Sequence, residues 1–513
     1  MSIGEGRKVT IVGAGLAGAL LACYLAKLGF RVNVYERRGD PRRAGYSGGR
    51  SINLALSARG LWGLQGIGLD QEILRHALPM RGRMMHAADP ETPLAFQPYS
   101  KNPTDAINSI SRGGLNMALL DAAEKFDNVE LFFNQRCLDV DIDKPAATFQ
   151  DESEPAQSGR IGTVESDLII GADGAFSAVR GRMQKIDRFE YQQTYLAHGY
   201  KELHIPAVDG GPGAKFGGYA MDPTALHIWP RGSSMMIALP NPDKTFTCTL
   251  FWPFEGSPDE SAFGNLRTEA EVVQFFRRVY PDVPQMMPTL AQDYLQNPSS
   301  SLVTVRCWPW VYAAKASGNG RCVALIGDAA HAIVPFFGQG MNAAFEDVRV
   351  LAECIERSRG DLPRALDEYQ RLRKPNADAI AQMALENFVE MRDKVGSRLF
   401  RFRKHAEHFL HDLMPRTLIP RYNLVSFSTV PYAEAQRQGE FMDRIIRAIG
   451  VLLLLVMIFG LATWLRWSLW LLVVAAVVGG WLLWEWERSR GRSQGAEAGV
   501  PRAGPGPDAG GAG

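Results

Sequence analysis

Three short apolar runs along the chain each end in a glycine-bearing turn. The first, Val9 to Val12, is followed by Gly13-Ala14-Gly15-Leu16-Ala17-Gly18, after which Leu20, Leu21, Tyr24, Leu25 and Leu28 share one helix face. Gly29 stops that helix, and Phe30 to Tyr35 gives another strand ending in Glu36. The second run lies in Asp167 to Arg180 (DLIIGADGAFSAVR) and ends in Ala172-Asp173-Gly174. The third lies in Val323 to Asp347 (VALIGDAAHAIVPFFGQGMNAAFED) and ends in Gly327-Asp328. A loop broken by Pro335 and carrying Gly338 and Gly340 comes next. Met341, Ala344, Phe345, Val348, Leu351 and Ile355 then recur at helical spacing. The pattern predicts three buried strands with carboxylates or glycines at their tips. It also predicts a helix starting near Gly340 to Asn342, with free N–H groups aimed over the third tip.

Between about 186 and 300 the pattern changes. Alternating and aromatic runs (Leu196 to Ile205, His227 to Pro230, Met235 to Leu239, Thr245 to Phe254) are separated by Gly, Pro and Asp turns and predict an antiparallel sheet. The piece from about Met80 to Ser100 is expected to join it, and polar Asp151 to Gly162 to form an exposed hairpin loop. Near the end, Ala448 to Leu465 and Trp467 to Trp484 are almost wholly apolar, interrupted by Arg466. Each run is just long enough to span a bilayer, and tryptophans cluster near the ends. Arg444 and Arg447 precede the pair, while Arg488, Arg490 and Arg492 follow it, which puts both flanks and the body of the protein on the cytoplasmic side. The expectation is a membrane-anchoring helical hairpin touching lipid, with a shallow or re-entrant arrangement left open by the tight turn at Arg466. Ser493 to Gly513, rich in Gly, Ala and Pro, is expected to be disordered.

The G-x-G-x-x-G of Gly13, Gly15 and Gly18, set between a strand and a helix with Glu36 roughly 20 residues on, is a dinucleotide fingerprint. Gly13 allows the tight turn, Gly15 lets backbone approach a pyrophosphate, and Gly18 permits close helix–strand packing. Glu36 suits the hydroxyls of an adenosine ribose and would repel a 2′-phosphate, so NADP does not suit this fold in the usual way. Three strand tips converging on one extended ligand, with Asp173 and Asp328 at two of them, suit the separate parts of FAD. No second complete fingerprint occurs.

Composition narrows the field further. At 513 residues the chain holds more than one domain, and a net charge of +1 offers no global basic field for nucleic acid. Six cysteines (Cys23, Cys137, Cys248, Cys307, Cys322, Cys354) lie far apart without a C-x-x-C pair. That spacing argues against a zinc ribbon, an iron–sulfur cluster or a disulfide framework and suits a reducing compartment. Nine histidines include no H-E-x-x-H, and no protein-bound metal is expected. Arg7 and Lys8 before an apolar stretch imitate a signal peptide, but the fingerprint glycines inside that stretch argue otherwise.

The motifs GAGLAG, ADGAFSAVR and GDAAHAIVPFFGQGMNAAFED together resemble the three flavin motifs of the single-component FAD-dependent aromatic hydroxylases, the para-hydroxybenzoate hydroxylase class. Further stretches are similar to the kynurenine 3-monooxygenase family within it: Gly49 to Ser57 (GRSINLALS), Pro79 to His86 (PMRGRMMH), Ser109 to Arg112 (SISR), Glu386 to Asp393 (ENFVEMRD) and the C-terminal apolar pair. The resemblance covers essentially residues 7 to 485. It implies an α/β fold: a Rossmann-like FAD-binding domain (1–185 and 301–375), an antiparallel β substrate domain (186–300), a C-terminal helical region (376–445), a membrane segment (446–486) and a tail (487–513). It also implies non-covalent FAD, NADPH as reductant, O2 as oxidant, and hydroxylation of L-kynurenine to 3-hydroxy-L-kynurenine through a flavin 4a-hydroperoxide.

Residue by residue, the resemblance places Gly13, Gly15, Ala17, Gly18, Tyr35, Glu36, Arg37, Arg38, Ala55, Arg112, Cys137, Asp173, Asp328, Gly340, Met341 and Asn342 against FAD. Arg50 to Ser57 would cross beside the flavin ring, and Cys137 would contribute backbone while its side chain packs as a small hydrophobe. Kynurenine carries an α-carboxylate, an α-ammonium and an anilinic ring with a ketone, and a carboxylate is best held by a guanidinium plus a hydroxyl. The resemblance puts Arg83, Tyr99, Asn387 and Tyr422 in that role. Glu390 and Met391 would flank them, and Phe336 and Phe337 would wall the ring. No catalytic side chain is expected, because the cofactor carries the chemistry.

Two other classes share part of this pattern. A membrane-bound FAD epoxidase or reductase acting on a lipid would keep the flavin motifs and the anchor, but would have no need of Arg83 with Tyr99. A non-catalytic, membrane-tethered flavoprotein would keep the motifs without NADPH oxidation. A flavin halogenase fits less well, since Trp308-Pro309-Trp310-Val311-Tyr312-Ala313 lacks the Ile-Pro half of W-x-W-x-I-P.

Overall fold

Six strands form the sheet that carries the three motif tips, in the order Val311–Ala313, Cys322–Leu325, Leu168–Gly171, Lys8–Val12, Arg31–Tyr35, Val129–Phe132. All neighbours run parallel except the edge pair Val311–Ala313 and Cys322–Leu325. Helices cover both faces of a parallel sheet, so its strands are continuous apolar runs: Ile11, Ile169 and Val323 have no exposed surface. The motif strands Cys322–Leu325, Leu168–Gly171 and Lys8–Val12 are adjacent and parallel, which brings their tips to one edge. The computed structural model describes residues 3–44, 53–153, 159, 161–210, 215–314, 320–390, 414, 419–464 and 470–495.

The second large sheet has seven strands, ordered Ser300–Trp308, Glu190–Ile205, Phe246–Pro253, Ser234–Pro240, Ala225–Arg231, Gly82–Met85, Ala95–Pro98. It is antiparallel except where Gly82–Met85 runs parallel to Ala225–Arg231. Its membership runs past residue 300, through Ser300–Trp308, and includes two strands from the 80–100 piece. Alternation divides its side chains between two cores. Trp229, Met236, Leu250 and Trp252 face a cluster built with Phe276, Tyr280 and Tyr294 from the helical stretch below. Their neighbours Ile228, Met235 and Phe251 face Phe336, Phe337, Ile380, Met383 and Phe388. The sheet is therefore a roof whose inner face rests on Phe336 and Phe337 within the third motif and on the helix Leu362–Val389.

Two three-stranded sheets complete the body. One joins Asn53–Leu56, Ile107–Ser111 and Leu78–Met80; the other joins Gln135–Asp141, Ala146–Asp151 and Ile161–Glu165. The latter includes the hairpin expected around 151–162, whose strands pair antiparallel.

Residues Met1–Glu440 form one compact unit and Phe441–Gly513 a second. A single helix, Tyr432–Trp464, runs through residue 446, and another spans Trp470–Gly495. Among the described residues no helix is long and apolar enough to cross a membrane, so the expected spanning hairpin is not observed. Its turn at Arg466 lies outside the described residues. The second helix also continues past Glu487, where a disordered tail was expected. Contacts one turn back support it there: the Arg488 guanidinium lies over the Trp484 ring at 4.8 Å, and the Ser489 hydroxyl donates to the Trp486 carbonyl at 2.8 Å. Residues 496–513 lie outside the described residues.

Candidate active site

The first tip is built by backbone. Gly13, at φ +101°, donates its N–H to the Tyr35 carbonyl at 2.7 Å, which locks the turn to the neighbouring strand. The helix Leu16–Lys27 then starts at Gly15 without any side-chain cap, leaving its first N–H groups for a ligand. A Cβ on Gly15 would meet no protein atom within 4 Å, so the space above it is open. Glu36 accepts the Ala14 N–H and the Arg38 N–H, each at 3.0 Å, which fixes its carboxylate beside the turn. Ala17 lies against the third tip, its Cβ 3.4 Å from where a Cβ on Gly327 would sit. Arg37 and Arg38 are exposed. Tyr35 serves differently from the expectation of ligand contact. Its ring is stacked between Phe132 (4.7 Å) and Phe149 (4.0 Å) and is buried, so its side chain belongs to the core.

At the second tip, Asp173 Oδ2 accepts the N–H groups of Ala178 (2.6 Å) and Val179 (3.3 Å), while its Oδ1 is buried without a hydrogen-bond partner. Burial pushes this carboxyl up against the pull of Ser177 and the backbone donors. An orphaned carboxylate oxygen at a strand tip is the acceptor that a ligand hydroxyl would satisfy. Cys137, half-buried on Gln135–Asp141, has its thiol pushed up to about 12 by burial and is no nucleophile.

The third tip turns at Gly327 (φ +59°) into the short helix Asp328–His331. Asp328 lies deep within the protein, yet its own surface is open, as in a side chain that lines a groove. Burial pushes its carboxyl up, opposed by His331 and by Arg112. The exposed Arg112, first residue of the helix Arg112–Glu124, is thus near enough for its charge to act on this carboxyl.

The helix expected near Gly340 begins there, spanning Gly340–Arg357, and Gln339 provides no side-chain cap, so the N–H groups at Gly340 and Met341 face outward from the helix start. The Asn342 side chain, at the helix start expected to face the cofactor, is spent within the protein. Its amide donates to the Ala55 and Gly338 carbonyls at 2.8 Å and accepts the Ser57 N–H at 2.9 Å. Asn342 therefore ties the crossing strand Asn53–Leu56 to the helix start, and leaves only backbone for a ligand. The Ala55 carbonyl is consumed in the same clamp. Residues 50–52 lie outside the described residues.

On the roof side, Arg83 on the strand Gly82–Met85 and Tyr99, just past the end of its partner strand Ala95–Pro98, meet Tyr422 from the helix Arg421–Phe427. The Arg83 guanidinium lies 4.6 Å from the Tyr422 ring centre and 5.6 Å from that of Tyr99, and the two rings stack at 5.3 Å. Phe337 stacks on Tyr422 at 5.6 Å. Burial alone would lower Arg83, but Tyr422, Tyr99 and Glu390 outweigh it and keep the guanidinium charged. Arg83 Nε and the Tyr99 hydroxyl are buried without a hydrogen-bond partner. Burial pushes the Tyr99 hydroxyl well above its ordinary range, so it remains a donor.

Phe336 departs from the expected ring wall: it packs between Phe251 (5.0 Å) and Phe388 (4.2 Å) in the core. Asn387 donates to the Phe336 carbonyl at 2.6 Å and so pins that turn rather than only facing a substrate. Met391 lies outside the described residues.

Beneath the third tip lies a charge network that no local motif announced. Asp347 accepts from His331 Nε2 at 2.5 Å and Arg373 Nε at 2.6 Å, and Glu346 pairs with Arg373 (2.9 Å) and Arg59 (3.2 Å). Arg59 in turn lies 3.8 Å from the Tyr432 ring centre and donates to the Val425 and Val430 carbonyls. The network ties the helix bearing Gly340 to the segment bearing Tyr422. His331, Glu346 and Asp347 all lie within the third motif, whose pattern does not mark them as partners.

Comparison with known proteins agrees with this geometry. The FAD binding domain family model matches residues 7–240 and 285–384. The kynurenine 3-monooxygenase of Dictyostelium discoideum is 47% identical over 452 residues, covering 86% of this chain and 92% of its own length. That of Myxococcus xanthus is 46% identical over 444 residues (86% and 91%), and that of Sus scrofa 42% over 440 residues (85% and 88%). Among solved structures, the tetrameric form of 2-methyl-3-hydroxypyridine-5-carboxylic acid oxygenase shares the fold at a TM-score of 0.59, with 19% identity over 77% of this chain and 95% of its own. Three backbone-built tips, an orphaned acceptor at Asp173 and identity of this extent over nearly the whole body carry one conclusion: the chain belongs to the kynurenine 3-monooxygenase family of FAD-dependent monooxygenases.

Proposed function

We propose that the protein hydroxylates L-kynurenine to 3-hydroxy-L-kynurenine with NADPH and O2. The observation that carries this is the charged, half-buried Arg83 with its Nε buried and unpartnered, beside the unpartnered Tyr99 hydroxyl. Two buried donors without an acceptor are costly unless a ligand supplies one, and an amino-acid carboxylate is such an acceptor. Tyr422 and Phe337 flatten one side of the space for an aromatic ring, and Glu390, whose charge reaches Arg83, suits the α-ammonium.

Bound FAD, reduced by NADPH, supplies the activation of O2. The adenosine and pyrophosphate end would be held by Glu36, Gly15 and the start of Leu16–Lys27, the ribityl chain by Asp173 and Asp328, and the ring by Ala55, Arg112 and the Gly340 helix start, whose N–H groups would favour negative charge. The protein's part is to hold the ring carbon ortho to the anilinic amine toward the flavin and to exclude water. The amine already activates that carbon, so no side chain is assigned as a base.

Purified, FAD-loaded enzyme should oxidise NADPH faster when L-kynurenine is added, with a product one oxygen heavier. Stimulation without that mass gain would reduce kynurenine to an effector, and no stimulation would favour a lipid substrate. Arg83→Ala should raise the KM for L-kynurenine about 10- to 100-fold, the equivalent of a lost charged hydrogen bond of roughly 1.5–3 kcal/mol, with a smaller change in kcat. An unchanged KM would remove Arg83 from the carboxylate site.

The second unit has the character of a lipid anchor on the cytoplasmic side. Leu452, Leu453, Met457, Leu483 and Trp484 are all exposed, an apolar surface of a kind that soluble helices bury. Flotation of the full chain with liposomes tests this, and recovery only in the liposome-free fraction would refute it.

A further inference from the structure

Three residues beyond Arg83, where its strand ends, a buried chain of hydrogen bonds begins at His86. His86 Nδ1 lies 2.7 Å from Asp282 Oδ2, and its Nε2 lies 2.9 Å from His227 Nδ1. His227 Nε2 lies 2.8 Å from the Asp222 carbonyl. Both rings are buried. A carbonyl only accepts, so His227 Nε2 bears a hydrogen. The two nitrogens that face each other share one more. Asp282 also accepts from Trp229 Nε1 at 2.9 and 3.1 Å. Burial pushes its carboxyl up, but the bonds from His86 and Trp229 outweigh that and hold it below the usual carboxylate range. Its oxygen is therefore an acceptor, and His86 Nδ1 bears the third hydrogen. Three N–H groups on two imidazoles leave one positive charge on the pair. Burial holds His227 down to about 4, and the His86 ring stacks on Trp229 at 3.9 Å. The other charged or titratable groups facing this chain are Asp222, Tyr280 and Arg231. Arg231 donates to the His86 and Ala87 carbonyls and lies 4.9 Å from the Tyr280 ring centre.

The strand that carries Arg83 needs such an anchor. Gly82–Met85 is four residues long and joins the sheet through its one parallel pairing; its outer partner, Ala95–Pro98, is exposed along its length. Short parallel pairing is weak, and a slip of one residue would turn Arg83 to the opposite face. We propose that the hydrogen-bonded Asp282–His86–His227 chain is a positioning clamp that holds Arg83 in register. This rests on the assignment of Arg83 to the substrate carboxylate.

The test uses FAD-loaded full-length enzyme and three variants: Asp282→Asn, His86→Gln and Arg83→Ala. Asp282→Asn and His86→Gln should each raise the KM for L-kynurenine about 10-fold, the scale of a small misplacement acting at a distance. Their kcat, flavin content and KM for NADPH should match the parent. If Arg83→Ala raises the KM while Asp282→Asn and His86→Gln keep the parental KM, the clamp is refuted and the Arg83 assignment stands. If Arg83→Ala itself leaves the KM unchanged, the assignment fails and the clamp falls with it. A loss of flavin and kcat in Asp282→Asn alongside the KM effect would make the chain a folding element and overturn the positioning role.

Discussion

Gly18→Ala should purify without flavin. A Cβ at Gly18 would stand 2.0 Å from the Gly13 carbonyl oxygen and 3.4 Å from the Ala172 Cβ, in the seam where the helix Leu16–Lys27 closes on its strand. The obstacle is backbone, so no side-chain rotation relieves it, and the helix must move away from the sheet. Gly13 cannot follow, since it is held at φ +101° with its own Cβ position 2.6 Å from the Ala172 carbonyl oxygen. Overpacking of this kind costs about 1–3 kcal/mol or more and shifts the helix start that faces the pyrophosphate. Gly15→Ala separates the two effects. Its Cβ meets no protein atom, so the flavin-free protein should keep the parental thermal midpoint while binding FAD more weakly. Flavin absorbance per protein and melting of the flavin-free forms decide the matter. A fully loaded Gly18→Ala would show that the seam has slack the structure denies.

The cofactor half of this site was legible because its constraints are local. Gly13, Gly15 and Gly18 act within one turn, and the apolar runs at Val9, Leu168 and Val323 declare buried parallel strands by composition alone. The helix start at Gly340 was visible for the same reason. What Asn342 and Tyr35 do was not. Asn342 spends its amide on Ala55 and Ser57, more than 280 residues away, and Tyr35 is claimed by Phe149 from another sheet. A motif shows that a residue is near a ligand, whereas only topology shows which of its atoms remain free.

The substrate half depends on that topology throughout. Arg83, Tyr99 and Tyr422 become neighbours only after the pair Gly82–Met85 and Ala95–Pro98 joins the end of the roof and a late helix packs against it. Resemblance to the family identified them; periodicity could not. His86 was quoted within a motif, yet its partners Asp282 and His227 lie 196 and 141 residues away, with no local pattern to mark them. The apolar C-terminal runs show the opposite limit. Their composition read as a pair of spans, but the observed helix begins at Tyr432, within polar sequence, and carries the apolar stretch as its continuation.

Arg373→Ala should destabilise the body by about 3–5 kcal/mol, because it strips the shared cation from two buried carboxylates. Arg373 is 2% exposed, and it is the link between Glu346 and Asp347, which otherwise keep only Arg59 and His331. Burial pushes the Asp347 carboxyl up, while His331 and Arg373 together hold it below the usual carboxylate range. A lowered folded value means the contribution to stability is present above the ordinary carboxylate range and is lost as pH falls through the folded value. Without Arg373 the folded value rises, so in the variant that loss begins at higher pH and the gap between parent and variant is widest near neutrality. Asp347 also accepts the Gly327 N–H at 3.3 Å, so the third tip loosens with it and Asp328 loses its fixed place on the groove. Arg59 transmits the same disturbance to Val425, Val430 and Tyr432, whose hydroxyl donates to Gln339 at 2.8 Å beside the helix start. Thermal unfolding from pH 5 to 8, read together with flavin release, measures both consequences. Arg373→Lys keeps the charge but cannot fork to both carboxylates, and it should fall between parent and alanine. A thermal midpoint for Arg373→Ala equal to the parent's across that range would mean that the two carboxylates take up protons at no cost, and that the network contributes nothing to holding the third tip in place.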